Sequence, residues 1–389
     1  MVPDFSFKPT PQLFFGVGRH KELPLVLKRF GSRLLIVVGG QSFTSGKYWG
    51  DLERNLTESG YSFNLVHIEG EPSPADIDTV TEHYSDKPID AVIGIGGGSA
   101  LDAGKAISAM LVEQEPVTTF LEGVGSRQPS GEKIPFIAVP TTSGTGSEAT
   151  SNAVISSVGH HGFKKSLRHD NYIPDIALID PELTTACPRN LTVACGMDTF
   201  TQLVEGYLST NGSPLTDALA LEGIQRVIHS LQNACDDGDN ISARADISYA
   251  SYLSGIVLAN AGLGLIHGFA SAIGGISEIP HGVVCGTLMA AANRFTLQHL
   301  RENDGDRISL AKYAKLGRLT TELDISDHQA QDIFIEYLTN LSTTLGIPCL
   351  GDYGVTENSF DEILNQTGNK YNPAALTKED HRLILQERI

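Results

Sequence analysis

Four short runs rich in β-branched and other apolar residues punctuate the first half of the chain: Leu34 to Val38, Ser62 to His67, Ala91 to Ile95 and Phe136 to Val139. Amphipathic segments lie between them, at Tyr48 to Ser59 and Ala75 to Tyr84, and these have the length that a crossover between parallel strands requires. The region up to about residue 185 therefore reads as an α/β domain built on a parallel sheet. From Asn190 onward the pattern becomes helical, most clearly from Ser242 through Gly264, where small residues alternate with Leu and Ile. Ser213 before Pro214, with Asp217 following, marks a helix start. Prolines at 181 and 188 interrupt both periodicities. The expected organisation is an α/β domain over 1–185 and an all-α domain over 186–389.

Charge and cysteine content remove several classes of function. The net charge is -18, from 46 acidic against 28 basic residues, and no dense Lys/Arg run is present, so nucleic acid is not an expected partner. Phosphate recognition must then be local, through backbone amides or a few side chains. Five cysteines without CxxC spacing imply neither a disulfide framework nor a cysteine metal cluster, and fit a reducing cytoplasm. The N-terminal residues lack a signal-peptide pattern and no run of 18 apolar residues occurs, so no membrane association is expected. His160 and His161, between Gly159 and Gly162, read as a solvated pair in a surface hairpin without a site role.

Two loops carry the chemistry of the first half. After the run ending at Ile95 comes Gly96-Gly97-Gly98-Ser99-Ala100-Leu101-Asp102-Ala103-Gly104-Lys105, a glycine turn leading into a helix. Backbone there can approach a pyrophosphate, and the free amides of the first helical turn can donate to it. The spacing is not GxGxxG, because Ser99 stands where the third glycine belongs. The second loop, Pro140 to Glu148 (PTTSGTGSE), follows the run ending at Val139. Strand ends at one edge of a parallel sheet are where open α/β folds bind ligands, so both loops can serve one nucleotide.

The pair GGGSALDAGK and PTTSGTGSE resembles the signatures of the iron-containing alcohol dehydrogenase family. Further matches are Pro174-Asp175, Ile179 to Leu183, Gly196-Met197-Asp198, Gly264 to Gly268 and Pro280-His281-Gly282, so that the resemblance runs from about residue 12 to 385. It implies a dinucleotide-binding α/β domain, a helical domain, and a divalent metal held in a cleft between them. Reversible hydride transfer between a nicotinamide cofactor and a small alcohol or aldehyde follows, with the metal as Lewis acid on the substrate oxygen. By the same resemblance Gly97, Gly98, Ser99 and Asp102 contact pyrophosphate and ribose, Thr141 and Thr142 the adenine side, and Lys165 and Leu183 the nicotinamide half. A homo-oligomer, commonly a dimer, is also implied.

The metal set departs from the family pattern. Members with four ligands carry Asp-x3-His on one helix and two histidines fourteen residues apart; here these positions are Asp198, Gln202, His267 and His281. Gln202 could offer only a neutral carbonyl oxygen. Asp198, His267 and His281 remain a sound set for zinc or iron, with water or Gln202 completing the shell. The alternative is a metal-independent reductase of the maleylacetate reductase type, in which His267 and His281 hydrogen-bond or protonate the carbonyl oxygen themselves. A further histidine of the pattern, a proton-relay candidate, is Ser271. Cys285 reads as a small buried cysteine with no basic neighbour, and Phe200, Leu203, Leu263, Ile266 and Phe269 as apolar lining of the cleft. A dehydroquinate synthase-like lyase would need basic residues for its anionic substrate, and Gly196 to Tyr207 and Ala261 to Cys285 contain none. An inert nucleotide-binding scaffold is disfavoured by the retained Asp198, His267 and His281.

The end of the run at Val38 bears on the choice of dinucleotide. An Asp at this strand end binds both ribose hydroxyls and repels a 2′-phosphate, whereas this chain has Gly39, followed by Gly40, Gln41 and Ser42. The Gly39 and Gly40 amides and the Ser42 hydroxyl can bind phosphate oxygens, so NADP(H) is expected over NAD(H).

Overall fold

The computed structural model describes residues 3–157, 162–303 and 306–389, so that His160 and His161 lie outside the described residues. The chain forms two compact units. One comprises Phe7–Pro188 and Asp237–Ser248; the other comprises Arg189–Asp236, Tyr249–Ile389 and the N-terminal residues up to Ser6. Two short segments thus group across a cut near residue 185.

Among the described residues of the first unit are β1 (Gln12–Phe15), β2 (Arg33–Gly39), β3 (Ser62–Ile68), β4 (Ala91–Gly96), β5 (Phe136–Pro140), β6 (Asn152–Ser157), β7 (Phe163–Arg168) and β8 (Ile176–Ile179). Its helices are α1 (Leu23–Leu27), α2 (Trp49–Glu58), α3 (Pro74–Tyr84) and α4 (Gly98–Glu113). Six strands form one parallel sheet in the order β1-β8-β5-β4-β2-β3, and β6 and β7 make a separate antiparallel hairpin. The apolar runs are continuous because both faces of the sheet are covered. Leu35, Val37 and Val92 pack with Ile107 and Met110 of α4, while Leu34, Ile36 and Ile93 pack with Leu27, Leu52 and Leu56 on the opposite side. Chain order runs outward from the centre in both directions, through β2 to β3 and through β4 to β5. The gap between β2 and β4 is thus the topological switch point, where ligands bind beyond the carboxyl ends of the strands.

The second unit is helical, with α5 (Arg189–Leu208), α6 (Pro214–Asp236), the C-terminal part of α7 (Ile241–Ala261), α8 (Leu265–Gly274), α9 (His281–Glu302), α10 (Arg307–Arg318), α11 (Asp327–Leu345), α12 (Phe360–Gln366) and α13 (Lys378–Gln386). Ser213 starts α6 as its sequence implies, its hydroxyl accepting from Thr216 N at 3.2 Å. From Met197 to Leu208 every residue of α5 is buried, which makes it the central helix of this unit, packed against α6 and α9. Among the described residues no single helix is long and apolar enough to cross a membrane. α7 and α8 reach that length only across a 99° bend, and the apolar residues of α8 are buried in the core.

Candidate active site

β4 and β5 lie side by side with Gly96 opposite Pro140, so the loops that follow them emerge at the same sheet edge. Thr141 N donates to Gly96 O at 2.9 Å and ties the second loop to the first. α4 begins at Gly98, with Gly97 at its cap and no side-chain hydrogen bond to that cap. The amides of its first turn, on the positive end of a 16-residue helix dipole, suit a phosphate anion. Glycine is needed here because the loops touch: a Cβ on Gly98 would fall 2.6 Å from Thr145 Cγ2. Gly97, Ser99, Thr141 and Thr142 are all half-buried at this edge.

Gly39 ends β2 one residue beyond Val38, which pairs with Ile95, and so sits at the switch point next to the glycine turn. Gly40 follows at φ +48°, and His67 Nδ1 donates to its carbonyl at 2.6 Å. Ser42 is exposed in the turn beyond. Leu183 lies in a short 3₁₀ turn, packed into the same apolar cluster as Val38, Ile95 and Val139. Lys165 is exposed on β7 opposite Ile155, its position set by the hairpin rather than by a sheet strand end.

Asp102, expected from the resemblance to face pyrophosphate or ribose, is turned inward. It accepts from Ser147 Oγ and, at 3.0 Å, from Val154 N. Beside it Lys105, 1 % exposed, donates to Ser147 O at 2.8 Å, Asn152 O at 2.7 Å and Thr150 Oγ1 at 3.1 Å. These two residues therefore brace the second loop against α4 from behind. Burial pulls Lys105 down to about 8 against the attraction of Asp102, and pushes the buried Glu148 up to about 7.

The helical unit brings the second set together. Asp198 Oδ1 of α5 lies 3.3 Å from His267 Nε2 of α8 and 3.7 Å from His281 Nε2, the first residue of α9. Close backbone packing fixes this arrangement: a Cβ on Gly282 would lie 2.0 Å from Ala194 O, so α9 rests directly on α5 and points His281 at Asp198. Burial alone would raise the Asp198 carboxyl, but His281, His267 and Gln202 outweigh it and hold the group below the usual carboxylate range. Burial likewise opposes charge on His267, yet Cys285, Asp198 and Glu205 hold its imidazole well above the ordinary histidine range. One carboxylate and two imidazoles with converging donor atoms are a fitting set for a divalent transition ion.

Three features of this cluster were not visible in the sequence. Glu205 accepts from His267 Nδ1 at 2.7 Å and from Ile266 N at 2.6 Å, and so fixes both the ring and the first turn of α8. With Nδ1 donating to Glu205, Nε2 is the atom left facing Asp198, so release of the Nε2 proton on metal binding leaves the tautomer that a metal-ligating histidine needs. The seven-residue spacing from Asp198, two helical turns, is the signal that could have found it. Gln202 accepts from Ser254 Oγ at 2.8 Å through Oε1 and hydrogen-bonds Asp198 through its amide, so it braces the carboxylate and its carbonyl already has one hydrogen-bond partner. Cys285 does have a basic neighbour, since its Sγ lies 3.8 Å from His267 Nε2. Among the residues expected to line an apolar cleft, Phe200, Leu203, Ile266 and Phe269 are instead core, each at most 2 % exposed. Ser271 is exposed on α8.

Comparison with known proteins agrees with this architecture. Residues 9–181 match the family described as iron-containing alcohol dehydrogenase, and residues 192–389 match the C-terminal domain of the Fe-containing alcohol dehydrogenase family. The chain is 31 % identical over 355 residues to long-chain-alcohol dehydrogenase 1 of Geobacillus thermodenitrificans, covering 91 % of this chain and 87 % of that one. It is 29 % identical over 404 residues to the NAD-dependent methanol dehydrogenase of Bacillus methanolicus, covering 99 % and 100 % respectively. Among solved structures, an alcohol dehydrogenase from Oenococcus oeni superposes with a TM-score of 0.88 at 31 % identity, over 99 % of this chain and 100 % of that one. With the glycine-turn loops on a parallel sheet and the Asp-His-His cluster on a helical unit, the chain belongs to the iron-containing alcohol dehydrogenase family of oxidoreductases.

Proposed function

We propose that this chain is an NADP(H)-preferring alcohol dehydrogenase or aldehyde reductase that holds one divalent ion, zinc or iron, on Asp198, His267 and His281. The observation that carries the metal reading is the convergence of Asp198 Oδ1, His267 Nε2 and His281 Nε2, with Glu205 fixing the His267 tautomer. When bound, such an ion supplies Lewis acidity at the oxygen of a small alcohol or aldehyde. Asp198 contributes the anionic charge that favours a cation, and Gln202 orients that carboxylate instead of ligating. The Gly97 and Gly98 amides, Ser99, Thr141 and Thr142 bind the dinucleotide phosphates and adenosine, Leu183 and Lys165 attend the nicotinamide half, and Asp102 positions the second loop. The absence of Lys and Arg from 196–207 and 261–285 favours an uncharged substrate over a polyanion. A homo-oligomer, a dimer, working in the cytoplasm completes the reading.

The cofactor preference rests on Gly39. The related methanol dehydrogenase is NAD-dependent by name, so the proposed preference rests on this strand end alone. A Cβ on Gly39 meets only Ala100 Cβ, at 3.7 Å, an ordinary van der Waals contact, so a side chain can begin there without a clash. Catalytic efficiency with NADPH and NADH, followed by reduced-nicotinamide absorbance with a panel of small aldehydes, tests both points. Wild type is expected to favour NADPH, and Gly39→Asp to depress NADPH use selectively. A wild-type preference for NADH overturns the cofactor assignment, and full aldehyde reduction after complete chelation overturns the metal assignment in favour of direct action by the two histidines.

A further inference from the structure

The structure assigns to Cys285 a place in the metal shell: we propose that its thiolate is the fourth protein ligand, in place of the imidazole that Gln202 does not provide. The inference rests on the Asp198, His267 and His281 reading above and adds to it. One ligand atom from each of Asp198, His267, His281 and Cys285 can be chosen so that all four lie within 4.8 Å of one another. Zinc bonds of about 2.0–2.1 Å to nitrogen or oxygen in a tetrahedron put those donors about 3.4 Å apart, and a sulfur at about 2.3 Å lies about 3.6 Å from a nitrogen. The edges here are 3.3 Å between Asp198 Oδ1 and His267 Nε2, 3.7 Å between Asp198 Oδ1 and His281 Nε2, and 3.8 Å between Cys285 Sγ and His267 Nε2. Three edges thus already match a tetrahedron to within a few tenths of an ångström, with the sulfur edge the longest, as sulfur requires.

Position and chemistry point the same way. Cys285 follows His281 by four residues on α9, so both side chains leave the same helical face toward Asp198. Gln202, at the position where four-ligand relatives of the pattern carry histidine, has its carbonyl oxygen engaged by Ser254 and its amide by Asp198. It therefore supports the carboxylate, and the shell is completed from α9 instead of α5. Coordination takes the thiolate, so the thiol proton is released to solvent as the ion binds. A soft sulfur in place of an imidazole shifts the site toward zinc over iron(II).

Cobalt(II) added to chelator-stripped full-length protein reads out the ligand directly, without reference to turnover. Stoichiometric cobalt binding with a thiolate-to-cobalt charge-transfer band in the near ultraviolet is expected, together with loss of that band in Cys285→Ser and its retention in Cys349→Ser. Zinc affinity, measured by chelator competition, should fall at least about tenfold in Cys285→Ser and in Cys285→Ala. Stoichiometric cobalt binding without the band, or with a band that survives Cys285→Ser, overturns the assignment of Cys285 and leaves the three-ligand site intact. Failure of wild type to bind cobalt overturns the three-ligand reading itself, and this inference with it.

Discussion

Glu205→Gln isolates the contribution of a residue that stands behind the proposed ligand His267 and outside the proposed ligand set. Its two carboxylate oxygens each accept one hydrogen bond, Oε2 from His267 Nδ1 at 2.7 Å and Oε1 from Ile266 N at 2.6 Å. Glutamine keeps the shape but has only one acceptor, so its amide nitrogen must face one of the two donors. Either the ring of His267 loses its anchor or the first turn of α8 loses its cap. A lost hydrogen bond to a charged group, with the donor left buried, costs about 1.5–3 kcal/mol. If that cost falls on the orientation of His267, it converts to roughly 10–100-fold in metal affinity, the range found for groups that orient metal-ligating histidines. Chelator-competition titration with zinc measures it, and thermal unfolding of the metal-free variant separates a general loss of stability from a specific loss of ligand geometry. The reasoning fails if zinc affinity of Glu205→Gln stays within about twofold of wild type while the fold is intact.

Two further perturbations probe the packing and the buried charge. Gly282→Ala drives a Cβ to within 2.0 Å of Ala194 O, a backbone atom that cannot swing aside, so it should cost about 1–3 kcal/mol in urea unfolding and also weaken metal retention by displacing His281. Glu148 is held protonated by burial up to about 7 in the folded protein, against an ordinary value of 4.5. Between those values the folded state keeps a proton that the unfolded state has lost, so its carboxyl contributes a penalty that grows as pH rises from 4.5 to 7 and is flat above. Relative to wild type, Glu148→Gln should therefore gain melting temperature between pH 5 and pH 8, by up to the order of 3 kcal/mol of stability. A difference between the two proteins that does not change with pH would show that Glu148 does not titrate in this window.

The sheet was largely legible because a parallel strand covered on both faces writes a nearly unbroken apolar run, as β2, β4 and β5 do, while the edge strand β3 keeps enough apolar residues at Phe63, Leu65, Val66 and Ile68 to show between its polar ones. β1, with Gln12 and Leu13 exposed, and β8, only four residues long, carry too little pattern to be distinguished from loop. The glycine turns were legible for a physical reason as well: where two backbones meet, as Gly98 meets Thr145, only one residue type fits. The cluster on the helical unit was legible residue by residue through the resemblance, but its supporting contacts were not. Whether Glu205, Gln202 and Cys285 reach Asp198 or His267 depends on how α5, α7, α8 and α9 pack, and helix periodicity says which face a residue occupies without saying what that face meets. The same gap misplaced Phe200 and Phe269, whose apolarity fits a cleft and a core equally until the packing is known.

Elemental analysis of purified protein, wild type beside Asp198→Ala, His267→Ala and His281→Ala, tests the central claim most directly. One divalent transition ion per chain is expected in wild type from cells supplied with zinc and iron, and its loss in each variant whose fold is preserved. Wild-type protein that carries no stoichiometric ion, or variants that keep it, would contradict the account.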